Sequence, residues 1–329
     1  MDSRTTIVPR RGMLLAFACL FLLGVMPIIS NGRPAAFGAL IFALFLSVWQ
    51  LLFSLPLLIR EWRKGERGLF KVALSPAQKR RTLMITLFTG ILFGLSTWAY
   101  VLAFEKAGAI NAAIALQAYP LFAMALEALF LGRRKSRTEL GFTVLIVIAL
   151  YFLATRGTWR MVGLSPLFGL ALGVPALWSV AHIILKQVLD TTPITPNQVT
   201  TSRLVVSTLF LLPVAIGIEG TADFEQAATN VGLQSFAVAM GLVYYLELVL
   251  WFNAMRHIDV SIASSITVPA PAVTMILAIL YLGDTAHGYQ LVAMGLVIAG
   301  LYGLLRSGVT KRSATNSSQT TVTDTLADG

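Results

Sequence analysis

Two stretches decide how this chain is read: Ala112–Arg133, AAIALQAYPLFAMALEALFLGR, and Ala263–Asp284, ASSITVPAPAVTMILAILYLGD. Each is a mainly apolar run of about 20 residues, the length a helix needs to cross a hydrocarbon core of about 30 Å. A shift of 151 positions lays one on the other without a gap. Pro120 then meets Pro271, Met124 meets Met275, and Gly132 meets Gly283. The register extends outward to Ala103 with Ala254 and to Leu150-Tyr151 with Leu301-Tyr302. Leucine matches carry little weight in so apolar a chain. Prolines paired twelve residues before paired glycines carry more, and they point to an internal duplication.

Outward from these stretches, the chain of 329 residues is 57% hydrophobic and only 12% charged, with a mean hydropathy of +0.78. A soluble domain carries about 25% charged residues. Ten apolar spans are expected, at 13–30, 36–59, 82–104, 109–131, 139–155, 164–186, 199–218, 231–255, 260–282 and 287–306. In lipid each must satisfy its own backbone hydrogen bonds, so each is a helix. The first span follows Arg10 and Arg11 like a signal peptide. It is long for one, has no clear cleavage site and is needed by the duplication, so it is taken as retained. The segment after Arg306 is polar and is expected to be disordered.

The net charge of +10 suits loops facing the cytoplasm rather than nucleic acid. With the N-terminus inside, 21 Lys and Arg fall on the inner side, Lys186 and Arg203 among them, and four on the outer side. That split supports ten spans, both termini cytoplasmic, in the cytoplasmic (inner) membrane. Five spans per copy is an odd number, so the second copy enters the membrane in the opposite direction. Inverted repeats of this kind characterise secondary transporters. The expected organisation is a cytoplasmic N-terminus over 1–12, five-helix halves over 13–155 and 164–306, and a tail over 307–329. The fold class is all-α integral membrane: ten helices, as two inverted five-helix repeats around a central cavity.

The two quoted segments resemble the EamA-type transporters of the drug/metabolite transporter superfamily. In that family the fourth helix of each half has a small-residue start, a central Pro and an apolar run ending in Leu-Gly, usually followed by Glu. Here Arg133 and Asp284 stand where that Glu is usual. The resemblance covers 13–306. It implies a cavity lined mainly by spans one, three, four, six, eight and nine, and export or uptake of small metabolites.

Glu247 is the sharpest single residue. It sits near the middle of span eight, with no Lys or Arg within a turn. An acidic group at that depth costs about 2.5–3.5 kcal/mol on insertion scales and usually faces a bundle interior or a wet cavity. Tyr244 and Trp251 share its face at i−3 and i+4. Their repeat mates with Glu247 are Phe93, Ser96 and Tyr100 of span three, an aromatic but uncharged wall. His182, paired at i+4 with Trp178 in span six, is a second candidate. Gln117, Tyr119 and Pro120 of span four match a region of span nine holding Ser264, Ser265, Thr267, Pro269 and Pro271. Prolines there free carbonyls, and the hydroxyls and amide can orient a polar solute.

The candidate substrate-binding set is therefore Glu247, Tyr244, Trp251, Tyr100, Ser96, Gln117, Trp178, His182, Ser264 and Thr267, with Glu247 and His182 as candidates for proton coupling. The bland readings are an interhelical hydrogen bond for Glu247, a satisfied interhelical donor for His182, and Ser and Thr bonded to their own backbone. Glu127, near the Gly132 end of its span, reads as an interface residue or a partner of Arg133 or Arg134. Gly90 with Gly94, and Gly169 with Gly173, read as close-packing patches. The single cysteine, Cys19, reads as packing and has no intrachain disulfide partner.

No metalloprotease, phosphate-transfer or P-loop motif occurs, so an enzyme is not expected. A channel would need more polar faces. The expected function is a secondary transporter of a small organic metabolite, an amino acid or related solute, across the cytoplasmic membrane. The alternative is a carrier or flippase for an amphiphilic or lipid-linked substrate. Expected partners are the small-molecule substrate and the lipid bilayer, with no nucleic acid, no cofactor, no metal and function as a monomer.

Overall fold

The computed structural model describes residues 10–66, 68, 75–119, 121, 122, 125, 126, 129, 136–160, 166–192, 194–255, 266–304, 306 and 307. Among them every regular element is helical. In chain order these are α1 (Arg10–Gly32), α2 (Ala39–Arg63), α3 (Pro76–Ala107), α4 (Ala109–Leu116), α5 (Arg137–Ala154), α6 (Pro166–Thr191), α7 (Pro196–Glu219), α8 (Thr221–Thr229), α9 (Val231–Met255), α10 (Ala270–Leu277), which runs into a π-helical turn at Ala278–Leu282, and α11 (Gly288–Leu304). Six of them, α1, α2, α3, α5, α7 and α9, are long and apolar enough to cross a membrane. Their apolar faces stay exposed: Leu14, Phe17 and Phe21 of α1, and Leu140, Val144 and Val147 of α5. Faces of this extent are lipid-facing surface, and the protein is a multi-pass membrane protein.

Local chemistry sets the helix starts. Ser75, Ser136 and Thr195 each cap the helix that follows, and their backbone N–H groups donate in return to the side-chain oxygens of Gln78, Glu139 and Gln198, a capping box in each case. At α7 the Gln198 N–H donates to Thr195 Oγ1 at 3.1 Å. The caps lie upstream of the apolar runs, so α3 begins six residues before the expected span and α7 three before. Gly108, at φ +82°, turns α3 directly into α4. The amphipathic α8 lies in the join between the expected spans 199–218 and 231–255, where no helix was expected. Spans 109–131 and 260–282 fall partly outside the described residues, as do Glu127, Pro120, Gly132 and the tail beyond 307.

The duplication has a structural counterpart. After α4 the chain turns at Gln117–Ala118, and before α10 it turns at Val268–Pro269, the same positions at the 151-residue shift. The Leu121 N–H donates to Ala118 O and its mate Ala272 to Pro269 O, both at 2.9 Å. Helix pairs also come in mates: α1 packs along α9 as α6 packs along α3, and α2 packs along α9 as α7 packs along α3. Gly90 of α3 and Gly241 of α9, again 151 apart, sit at these seams. A Cβ on Gly90 would overlap Val206 of α7, and one on Gly241 would lie 2.8 Å from Trp49 Cβ and 3.0 Å from the Gln50 nitrogen of α2. Ser207 Oγ closes the first seam by donating to Gly90 O at 2.7 Å. Gly94 also sits close, against Phe210 and Ser207. Among the described residues nothing lies within 4 Å of a Cβ placed on Gly169 or Gly173, so no described neighbour makes them the packing patch their spacing suggested.

The bundle has two polar ends. At one, Arg33 pairs with Glu105, Gln290 Nε2 donates to Asn111 Oδ1 at 2.9 Å, and Glu219 faces the first-turn N–H groups of Leu40 and Ile41. At the other, Thr195 Oγ1 donates to Glu61 Oε2 at 2.8 Å and Gln198 Nε2 to Glu66 O at 2.7 Å. Among the described residues, parts of the joins expected outside, around Arg33, Glu105 and Glu219, meet at the first end, and parts of two joins expected inside, around Glu61 and Thr195, meet at the second.

Candidate functional site

Between these ends lies a cavity of about 580 Å³, bounded by α1, α3, α4, α6, α7, α9, α10 and α11. Its size falls within the roughly 300–1,000 Å³ of ligand sites. Six of these walls are those the resemblance implied. The additions are Arg203 from α7 and Leu301 and Leu304 from α11.

Glu247 projects into it from α9, with Tyr244 one turn above and Trp251 one turn below. Glu247 is 8% exposed, and its carboxylate has no hydrogen-bond or ion-pair partner among the described residues. Opposite stands Tyr100 of α3, whose ring centroid lies 6.3 Å from that of Tyr244, 5.9 Å from that of Trp178 and 4.5 Å from that of Phe104. Phe93 lies on the same face two turns before Tyr100, and the two residues build the second aromatic wall.

His182 closes a third side from α6. Its ring lies 5.3 Å from Phe93, and its Nδ1 is 3.3 Å from the Tyr119 hydroxyl. Tyr119 is itself anchored through its carbonyl, which accepts from Ser179 Oγ at 3.2 Å. Gln117 and Thr267 lie on the lining from the two broken helices, beside the turns that interrupt them. Backbone interruption next to a cavity is where membrane helices tolerate it.

Eight of the ten candidate residues therefore meet at this cavity. Ser96 does not line it. Fully buried, it donates to Phe93 O and accepts from Trp178 Nε1 at 3.1 Å, so it holds the tryptophan rather than facing the lumen. Ser264 lies outside the described residues. Cys19 is buried beside α9, its thiol donating to Glu247 O at 3.5 Å. No group of three or more His, Cys, Asp or Glu among the described residues is placed to hold a metal ion.

Arg203 corrects the charge reading. It is not a surface charge of the inner side. It is 7% exposed, lines the cavity, and lies with its guanidinium carbon 4.1 Å from the Phe93 ring centre. The sequence signal was the Thr195-Pro196-Asn197-Gln198 cap. It starts α7 early enough to carry Arg203 seven residues, about 10 Å, along the axis. Removing Arg203 from the inner tally leaves the charge split almost unchanged.

A second, polar recess of about 380 Å³ opens at the first end between Asn111, Arg156, Asp284 and Gln290. α4 lines both, with Ala109, Ile110 and Asn111 in the recess and Ala113 and Leu116 in the cavity.

The family model of the EamA-like transporters matches the chain twice, over residues 10–155 and 166–306. The chain belongs to the EamA-like transporter family. The two matched EamA segments correspond to the two halves that the mate contacts define. Among curated relatives, the chain is 24% identical over 241 residues to a probable amino-acid metabolite efflux pump of Salmonella typhimurium, covering 71% of this chain and 80% of that protein. It is 22% identical over 315 residues to the protein RarD of the same organism and to that of Salmonella typhi, covering 92% of this chain and 95% of each. A solved crystal structure superposes with a TM-score of 0.60 at 15% identity, over 89% of this chain and 96% of its own. The EamA assignment makes the protein a membrane transporter of small metabolites.

Proposed function

We propose that this EamA-family protein moves a small organic solute, an amino acid or related metabolite, across the cytoplasmic membrane by alternating access. Ten spans form two five-helix halves of opposite orientation, with both termini cytoplasmic and the Arg33–Glu105 end outside. Exchange of conformation between the halves exposes the central cavity to either side in turn. The observation that carries this reading is the carboxylate of Glu247, which has no hydrogen-bond or ion-pair partner among the described residues and lies between two aromatic walls. Such a group binds a solute amine or carries a proton, with His182 as the second candidate for proton coupling. The aromatic walls suit an apolar or aromatic solute part. The name of the amino-acid metabolite efflux pump relative supports the solute class.

The test is Glu247→Gln in reconstituted vesicles, with flux of a panel of labelled amino acids measured across a pH series. Flux falls at least tenfold or loses its pH dependence if Glu247 acts as stated. Unchanged flux with an unchanged pH profile sinks the assignment.

A further inference from the structure

The cavity holds two opposite charges that no described residue pairs by a hydrogen bond or a salt bridge. Arg203 and Glu247 both line it and act on each other electrostatically, yet no carboxylate comes within 4 Å of the Arg203 guanidinium among the described residues. The Arg203 Nε is buried without a hydrogen-bond partner. An arginine this far along a helix ordinarily extends its stem toward water. Here the guanidinium instead lies over the Phe93 ring. Stacking on a ring fixes the plane of the guanidinium and uses none of its five N–H donors. Those donors fit a carboxylate by two parallel bonds. Glu247, on the facing helix, offers two acceptor oxygens and no donor once ionised.

We infer that Arg203 and Glu247 form the two poles of a receptor for a zwitterionic solute. Arg203 takes the carboxylate, Glu247 takes the ammonium group, and Phe93, Tyr100, Tyr244 and Trp251 enclose an apolar body. This rests on the transport reading above and narrows it to one charge state. A solute that is only an anion leaves Glu247 bare, and one that is only a cation leaves Arg203 bare. In a largely apolar lumen an unmatched charge is the heavily penalised case. A zwitterion alone matches both poles and adds no net charge to the membrane interior.

The decisive experiment measures binding to the purified full chain in detergent, with labelled L-phenylalanine as probe. Phenethylamine, phenylalanine methyl ester and 3-phenylpropionate serve as competitors that lack one charge. The expected result is that L-phenylalanine binds at least tenfold more tightly than each. Arg203→Met weakens L-phenylalanine at least tenfold and leaves phenethylamine unchanged, while Arg203→Lys recovers part of the loss. Glu247→Gln gives the mirror result, sparing 3-phenylpropionate. Equal binding of all four compounds, no binding of any, or an Arg203→Met variant that loses all equally overturns the inference. The wild-type series decides the matter even where the Arg203→Met variant fails to fold. If the charge preference holds but vesicles show no flux, the transport reading falls and this one stands. If labelled solutes are moved without a charge preference, this one falls alone.

Discussion

Under the alternating access proposed above, contacts at the end proposed to face outside are made in one state and broken in the other, and the Arg33–Glu105 pair is a contact placed to do this. It ties the end of α1 to the end of α3. The Arg33 side chain is 5% exposed, the Glu105 side chain 29%. Burial lowers the pKa of the guanidinium from its ordinary value, and Glu105 opposes that shift. Arg33 also donates to Ser30 O at 2.7 Å and stands over Phe42, so it is held in place before the pair forms. Breaking a fully buried pair by removing one partner costs about 3–5 kcal/mol, whereas an exposed pair is worth about 0–1 kcal/mol. With Glu105 partly in water, and with Glu219 near enough to help Arg33, about 2 kcal/mol is a fair value for Glu105→Gln. If that free energy belongs only to the outwardly closed state, the open population rises about 30-fold while it remains the minor state.

The assay is labelling of Gln117→Cys, on the cavity lining, by a membrane-impermeant thiol reagent added outside, in a Cys19→Ala background. The labelling rate should rise roughly in proportion to the open population in Glu105→Gln. It should fall back in the charge-swapped Arg33→Glu/Glu105→Arg chain. A rate that Glu105→Gln leaves unchanged, or that the swap raises equally, refutes the assignment of this pair as an outer lock.

Four further outcomes are expected. Gly241→Ala forces a Cβ against the α2 backbone and should lower stability by about 1–3 kcal/mol, read as a fall in Tm in detergent. Gly169→Ala and Gly173→Ala, with no described neighbour within 4 Å of the added Cβ, should leave Tm nearly unchanged. Trp178→Phe removes the donor to Ser96 and should cost about 1 kcal/mol by chemical denaturation while weakening solute binding, and an unaltered affinity would count against Trp178 as lining. Ser136→Ala abolishes the α5 capping box and should cost about 1 kcal/mol, with a smaller loss for Ser136→Asp.

The membrane class and the duplication were legible because they are written in long averages: apolar length, basic asymmetry and a register of 151. The cavity was legible where helical periodicity alone decides which residues share a face, as for Tyr244, Glu247 and Trp251. It failed where tertiary partners decide. Ser96 has the right face, but Trp178 occupies its hydroxyl from another helix. Arg203 was counted among the inner-side charges, whereas the cap at Thr195 sets where α7 starts and hence how deep Arg203 lies. Gly169 and Gly173 have a packing spacing, yet spacing says nothing of whether a neighbour comes close. α8 carries too little apolar character to stand out from a loop by hydropathy.

The breaks at Gln117–Ala118 and Val268–Pro269 have a mechanical consequence. An unbroken rod that swings outward at one tip must swing inward at the other, so its two tips obey a single lever. A rod jointed at mid-length has no such obligation. The piece from Ala109 to Leu116 can stay against its neighbours while the far piece leans away, and its mate around α10 can do the reverse. Under the alternating access proposed above, a transporter hinged in this way has available a posture with both doors shut, in which cargo is held and neither compartment is in contact with it.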